Sequence, residues 1–154
     1  MADDLRALED WAAPLLSSLT PQKRRALARK IGQALRREQA ARIASQRSPD
    51  GSAYQPRKTT NARLQKGSIR RSMFEKLRAA RHLRVEAEDD GVAVGFFGRT
   101  ARIARVHHYG LRDLVQAGGP SYQYPARSLL GITDSDREVI RELILTALGN
   151  PAST

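Results

Sequence analysis

The sequence contains no cysteine. A disulfide framework, a thiolate nucleophile and a cysteine-bound metal are therefore excluded. Aromatic residues make up only 5% of its 154 positions, with a single tryptophan, and no aromatic run offers a platform for stacking bases. No apolar stretch approaches the ~20 residues of a membrane span. The acidic N-terminus does not resemble a secretory signal, so a soluble protein made in a cytoplasm, without a membrane partner, is expected. Histidine is also scarce, with His107 and His108 adjacent and His82 distant. Adjacent helical positions point about 100° apart, which discourages a shared metal. The expected arrangement is one histidine buried and hydrogen-bonded and the other exposed. No nucleophile–base–acid set and no phosphate-cradling glycine loop is visible, so catalysis is not expected.

What the chain has in excess is positive charge, +11 overall. Residues 1–20 hold one base and four acids, and residues 132–154 hold two bases and four acids. The middle, 21–131, carries 24 bases against eight acids. Such a block suits polyanions through counterion release. It equally suits acidic protein partners through bidentate arginine pairing. Charge alone leaves both open.

At this length one domain is expected, with 40% hydrophobic residues to build a core. Residues 3–19 place Leu5, Leu8, Ala12, Leu15, Leu16 and Leu19 at helical spacing, and Pro14 predicts a kink or break. Trp11 sits beside this stripe, and packing on its own domain is preferred to anchoring a neighbour. Thr20-Pro21 is a cap followed by proline at the first helical position. It predicts a long helix to about Gln46 with a thin stripe of Leu27, Ile31, Ala34 and Leu35. Ser48-Pro49-Asp50-Gly51 is turn chemistry, and the polar, aperiodic segment to Gly67 predicts a mobile basic loop. Ser68–Arg81 resumes helical spacing through Met73, Leu77 and Ala80. Leu83, Val85 and Ala87, then Asp89-Asp90-Gly91, then Val92, Val94 and Phe96 predict a hairpin. Ser135 with Glu138 forms a capping box for a last helix, although Thr133 is also a plausible cap, and Gly149-Asn150-Pro151 ends it.

Between hairpin and last helix, Arg99–Gly131 organises the chain. It reads as a short basic helix, a glycine- and proline-rich loop, an extended Tyr122-Gln123-Tyr124, and Tyr124-Pro125-Ala126-Arg127 as an edge segment. Leu129 and Leu130 are expected to tuck beneath the last helix, leaving Arg127 projecting toward a partner. The fold class is α+β: a small antiparallel sheet built on a hairpin, flanked by a long N-terminal helix pair and a C-terminal helix. Residues 1–19 form a helical segment, 20–149 a single domain with the mobile loop at 48–67, and 150–154 a tail.

Several of these patterns occur in one order: Arg42-Ile43-Ala44-Ser45-Gln46, Pro49-Asp50-Gly51, Tyr54 and Pro56-Arg57. Met73-Phe74, Ala104 to His107, Gly110, Tyr124-Pro125-Ala126-Arg127, Leu130-Gly131 and Asp136 follow. In this order they resemble the phage virion morphogenesis family, the tail completion group of contractile-tailed and Mu-like phages. Tyr54 stands where such proteins often have tryptophan, and His108 where glutamine is common. The resemblance implies a non-enzymatic virion component, without cofactor, that completes or caps the tail at the head–tail junction. It also implies a ring, commonly of six copies, whose partners are the tail tube or sheath end, head-connector proteins and, transiently, DNA in the lumen. Arg42, Gln46, Asp50, Tyr54, Arg57 and Arg127 are the candidates for assembly contacts. Gly51, His107, Gly110, Pro125, Leu130 and Gly131 are the candidates for structural roles. The alternative is a small basic nucleic-acid-binding protein.

Overall fold

Helical spacing at both ends of the chain and strand alternation near its centre are realised in a computed structural model. It describes residues 2–57 and 72–149. Helix α1 spans Ala2–Leu16 and α2 spans Pro21–Ala44. Strands β1 (Leu83–Ala87) and β2 (Val92–Phe96) form one two-stranded antiparallel sheet. Helix α3 (Arg99–Tyr109) leads to a second sheet, β3 (Arg112–Leu114) with β4 (Ser121–Gln123), and α4 (Asp134–Gly149) closes the described chain. The α+β class read from the sequence is the one observed. Two compact units divide the chain.

The first unit comprises Met1–Glu38, Arg84–Gly95 and Ile132–Thr154. Its core gathers Ala12, Leu27, Ile31, Leu35 and Ile144, with Val92, Val94, Ile140 and Leu143 packed against them. Gly32 lies on α2 where an added methyl would overlap the side chains of Val85 and Val92. A glycine inside a helix costs about 1 kcal/mol relative to alanine, and here it admits the hairpin to the helix surface. Arg24 and Arg25 reach Asp89 and Glu88 at 4.0 and 3.8 Å, solvent-screened pairs of small worth. Of the kink or break expected at Pro14, the break does not occur: the helix continues to Leu16. The Ser17 and Ser18 hydroxyls then donate to the carbonyls of Pro14 and Leu15 at 2.7 and 2.8 Å. At the start of α4 the capping box uses Thr133 and Asp136 rather than Ser135 and Glu138. Thr133 N–H donates to Asp136 Oδ2 (2.9 Å) and Asp136 N–H to Thr133 Oγ1 (3.1 Å). Glu138 pairs with Arg141 instead.

The second unit comprises Gln39–Leu83 and Phe96–Gly131. Ile43, Tyr54, Met73, Leu77, Ala104 and Leu129 form its core, and Phe74, Phe96 and Leu130 pack on it. Leu129 is thus part of this core and Leu130 is half-buried on it. Residues 72–82 form turns rather than a helix. Met73 and Leu77 are buried as their spacing suggested, but Phe74 adopts a left-handed φ of 64° that interrupts helical geometry. The first part of the supposed mobile loop is folded. Ser48–Gly51 closes a turn, Arg47 bridges to Ala53, and Tyr54 is buried. The remainder of that segment, 58–67, lies outside the described residues. The β3–β4 hairpin replaces what read as a loop, with Arg112 opposite Gln123, Asp113 opposite Tyr122 and Leu114 opposite Ser121.

Candidate assembly surface

The surface of the second unit is held in place by polar clamps beneath it. The apolar stripe of α2 contains one polar position, Gln39, four residues after Leu35 and four before Ile43. Its amide forms a mutual pair with Gly131: Nε2 donates to the Gly131 carbonyl (2.7 Å) and Oε1 accepts from its N–H (3.2 Å). Arg42 adds a second bond to that carbonyl at 2.9 Å. A methyl on Gly131 would come within 2.5 Å of the Pro49 ring, so glycine is required for the approach. Further along the chain, Gln46 takes φ 58° just past the end of α2. Its side chain accepts from Met73 N–H (2.7 Å) and donates to Met73 C=O (2.9 Å), while its carbonyl accepts from Tyr54 N–H (2.8 Å).

Arg127 forms the third clamp. It is 5% exposed, its backbone N–H donates to the His107 carbonyl (2.7 Å), and Nε and a terminal nitrogen donate to the carbonyls of Gln55 (2.7 Å) and Pro56 (3.2 Å). It ties the 54–57 segment down instead of projecting to a partner. A short side chain could not have done this. Four edge-to-face ring contacts run Tyr54–Phe74–His107–Tyr124–Tyr122, with centroids 4.8–5.8 Å apart. Burial pushes the Tyr54 phenol up to about 12, and its hydroxyl reaches the Ser128 carbonyl at 3.4 Å. Gly110 ends α3 in the left-handed region, φ 65°, where a methyl would strike the Ala126 backbone at 2.7 Å.

Above these clamps the outer surface is apolar and basic. Ile103, Tyr109, Leu111, Leu114 and Val115 are all exposed, Tyr109 to 65%. Exposed Arg99, Arg105 and Arg112 are interspersed with them. Arg102 links α3 to β3 through a 2.6 Å bond to Asp113, whose carboxyl is held below its usual range by the Leu114 N–H and by Arg102. Among the described residues, the second unit carries 11 bases and 3 acids, while the first carries 11 bases and 13 acids. Residues 3–149 match the phage virion morphogenesis family. The chain belongs to that family.

Among curated proteins, this virion morphogenesis chain is 36% identical over 147 residues to "Tail completion protein S" of Escherichia phage P2, covering 95% of this chain and 98% of the relative. No solved structure matches it. Of the six assembly candidates, Tyr54 and Arg127 are buried, and Arg42 and Gln46 are half-buried in the clamps just described. Asp50 and Arg57 are exposed. Asp50 closes its own turn by accepting from the N–H and hydroxyl of Ser52 at 2.9 and 2.6 Å, which lower its pKa. Gly51 supplies the positive φ (84°) in that turn, and Pro125 is half-buried. The exposed hydrophobics of 103–115 were missed, because Ile103 falls in what read as a short basic helix and Leu114 and Val115 in what read as a loop. The signal available was the Gly118-Gly119-Pro120 turn, which makes Leu114 and Val115 a hairpin tip.

Neither His107 nor His108 is exposed, although one of them was expected to be. His108 Nδ1 accepts from Leu129 N–H (3.1 Å), and His107 is packed edge-to-face between Phe74 and Tyr124. Burial pushes both imidazoles down, with Arg127 and Arg57 adding to the effect at His107. The neutral forms are thus favoured in the fold, while the unfolded chain takes up protons near pH 6.5. Stability from this pair is therefore complete above about pH 6.5 and falls as pH drops below it. Thermal midpoints should fall between about pH 7.5 and 5.5, and a His107→Phe, His108→Gln variant should flatten that slope.

Proposed function

We propose that this chain is a non-enzymatic virion subunit that completes a phage tail at the head–tail junction, acting as a ring of six copies. The observation that carries this reading is the end-to-end similarity to the tail completion protein S of phage P2, which spans nearly all of both chains. Its partners are further copies of itself, the tail tube or sheath end, and head-connector proteins. The clamps of the second unit support this role. They hold α3 and the β3–β4 hairpin on a fixed base, as a load-transmitting ring needs, and leave apolar and arginine side chains outward. The basic second unit also suits brief contact with DNA in the channel. Six copies at +11 each would obstruct DNA if most of that charge faced the lumen, so those contacts are few and weaken with salt.

The test is complementation of a phage lacking this chain. Purified chain should convert separated heads and unfinished tails into infectious particles, and mass measurement of finished tails should count six copies. A single copy per tail removes the ring. A monomer that binds DNA at moderate salt and leaves heads and tails unjoined supports the nucleic-acid-binding alternative instead.

A further inference from the structure

Eight large hydrophobic side chains are exposed among the described residues, and they fall into two groups. Ile103, Tyr109, Leu111, Leu114 and Val115 lie in thirteen residues of α3 and the β3–β4 hairpin. Leu5 and Trp11 lie on α1, and Leu145 on α4, the two helices that pack together in the first unit. Trp11 is 38% exposed. Scattered exposed hydrophobics need no explanation, but these two groups also differ in charge.

Around the first group the exposed charges are Arg99, Arg105 and Arg112, and the one carboxylate, Asp113, is paired with Arg102. Around the second the exposed charges include Glu9, Asp10 and Glu142. Arg6 is the only base of α1, and the two bases of α4, Arg137 and Arg141, are paired with Asp134 and Glu138.

We propose that neighbouring copies of this chain join head to tail, the acidic helices α1 and α4 of one copy seating on the basic and apolar surface of α3 and the β3–β4 hairpin of the next. The inference rests on the ring reading above and specifies which surfaces meet in it. Pairing either surface with itself would juxtapose like charges. Pairing unlike faces matches charge and buries apolar side chains on both sides. Trp11 and Tyr109 supply aromatic anchors and the arginines a polar rim, the composition of interface centres and edges. A contact between two different patches repeats from copy to copy and closes into a ring when the rotation permits. A symmetric contact between identical patches would stop at two.

The absence of cysteine makes the test clean. Ala7→Cys, one helical turn from Trp11, and Val115→Cys are prepared in the full chain and oxidised separately and as an equimolar mixture, in concentrated solution and in assembled particles. Both positions are exposed, so both variants should fold. Lys76→Cys, exposed elsewhere on the second unit, serves as control. The expected result is a disulfide adduct in the mixture that joins one chain of each variant through the two introduced thiols, with little adduct from either variant alone. Adding Arg105→Glu to the Val115→Cys chain should sharply reduce the mixed adduct, because a carboxylate then faces carboxylates. Symmetric adducts matching the mixed one would overturn the proposal. So would a mixed adduct no stronger than that with the Lys76→Cys control, or one indifferent to Arg105→Glu. The two readings fail separately. Tails completed without the crosslink remove this contact alone, whereas the crosslink without tail completion removes the tail role and leaves the contact standing.

Discussion

Leu129→Ala is expected to cost about 2–5 kcal/mol and to lower the thermal midpoint by roughly 6–15 °C for a chain of this size. Leu129 is 1% exposed in the core of the second unit, clustered with Ile43, Tyr54, Met73, Leu77 and Ala104. Truncating the side chain there loses transfer free energy and leaves a cavity. The surroundings cannot easily collapse into it, because the Leu129 backbone is itself held by the bond from its N–H to His108. Leu130→Ala is the internal control: Leu130 is only half-buried against the same cluster, so its truncation should cost clearly less. Chemical denaturation of the two variants checks the order. Equal midpoints would mean that Leu129 holds no central place in that core.

Arg127→Ala is expected to destabilise by about 2–4 kcal/mol, since hydrogen bonds to a charged donor contribute roughly 1.5–3 kcal/mol each and two carbonyls lose theirs. The sequence pattern suggested the opposite, an outward arginine whose loss spares the fold. Burial of Arg127 and its bonds to Gln55 and Pro56 reverse that expectation. Arg57→Ala, at an exposed position, should stay within ~0.5 kcal/mol. The readout specific to the clamp is trypsin cleavage after Arg57. It should accelerate in Arg127→Ala well beyond what global unfolding explains, because the 54–57 segment loses its tether. Arg127→Lys keeps the charge without the guanidinium fork and should restore stability only in part. A cleavage rate at Arg57 unchanged in Arg127→Ala would show that the clamp does not restrain this segment.

Much of the architecture was legible because its signals are local. Thr20 followed by Pro21 marked the start of α2, and the Thr20 hydroxyl indeed accepts from Lys23 N–H at 3.3 Å. Alternation on either side of Asp90-Gly91 marked β1 and β2. The β3–β4 hairpin was not legible, since three-residue strands are too short to show a period. The segment around Met73 misled for a different reason. Met73 and Leu77 are four apart as on a helix, yet what sets their position is the grip of Gln46 on the Met73 backbone and the left-handed turn at Phe74. The motifs singled out Arg42, Gln46 and Arg127, but that they clamp their own chain could not be read. A polar side chain on a partly apolar stretch looks the same whether it meets a partner protein or a carbonyl of its own chain.

The sequence by itself determined the helices, the first hairpin, the family and the total charge of +11. Only the tertiary structure decided how that charge is divided. The basic part of α2 up to Glu38 folds into the same unit as the acidic α1, the Asp89-Asp90 turn and α4, leaving 11 bases against 13 acids there. The described residues of the other unit keep 11 bases against 3 acids. In sequence these basic residues form one continuous middle block. Charge along a chain is a local property, but its neutralisation depends on which distant segments packing brings together. Here Gly32, Ile31 and Leu35 bring the acidic hairpin and helices onto α2, and Gln39, Arg42 and Gln46 commit the rest of that helix to the basic unit.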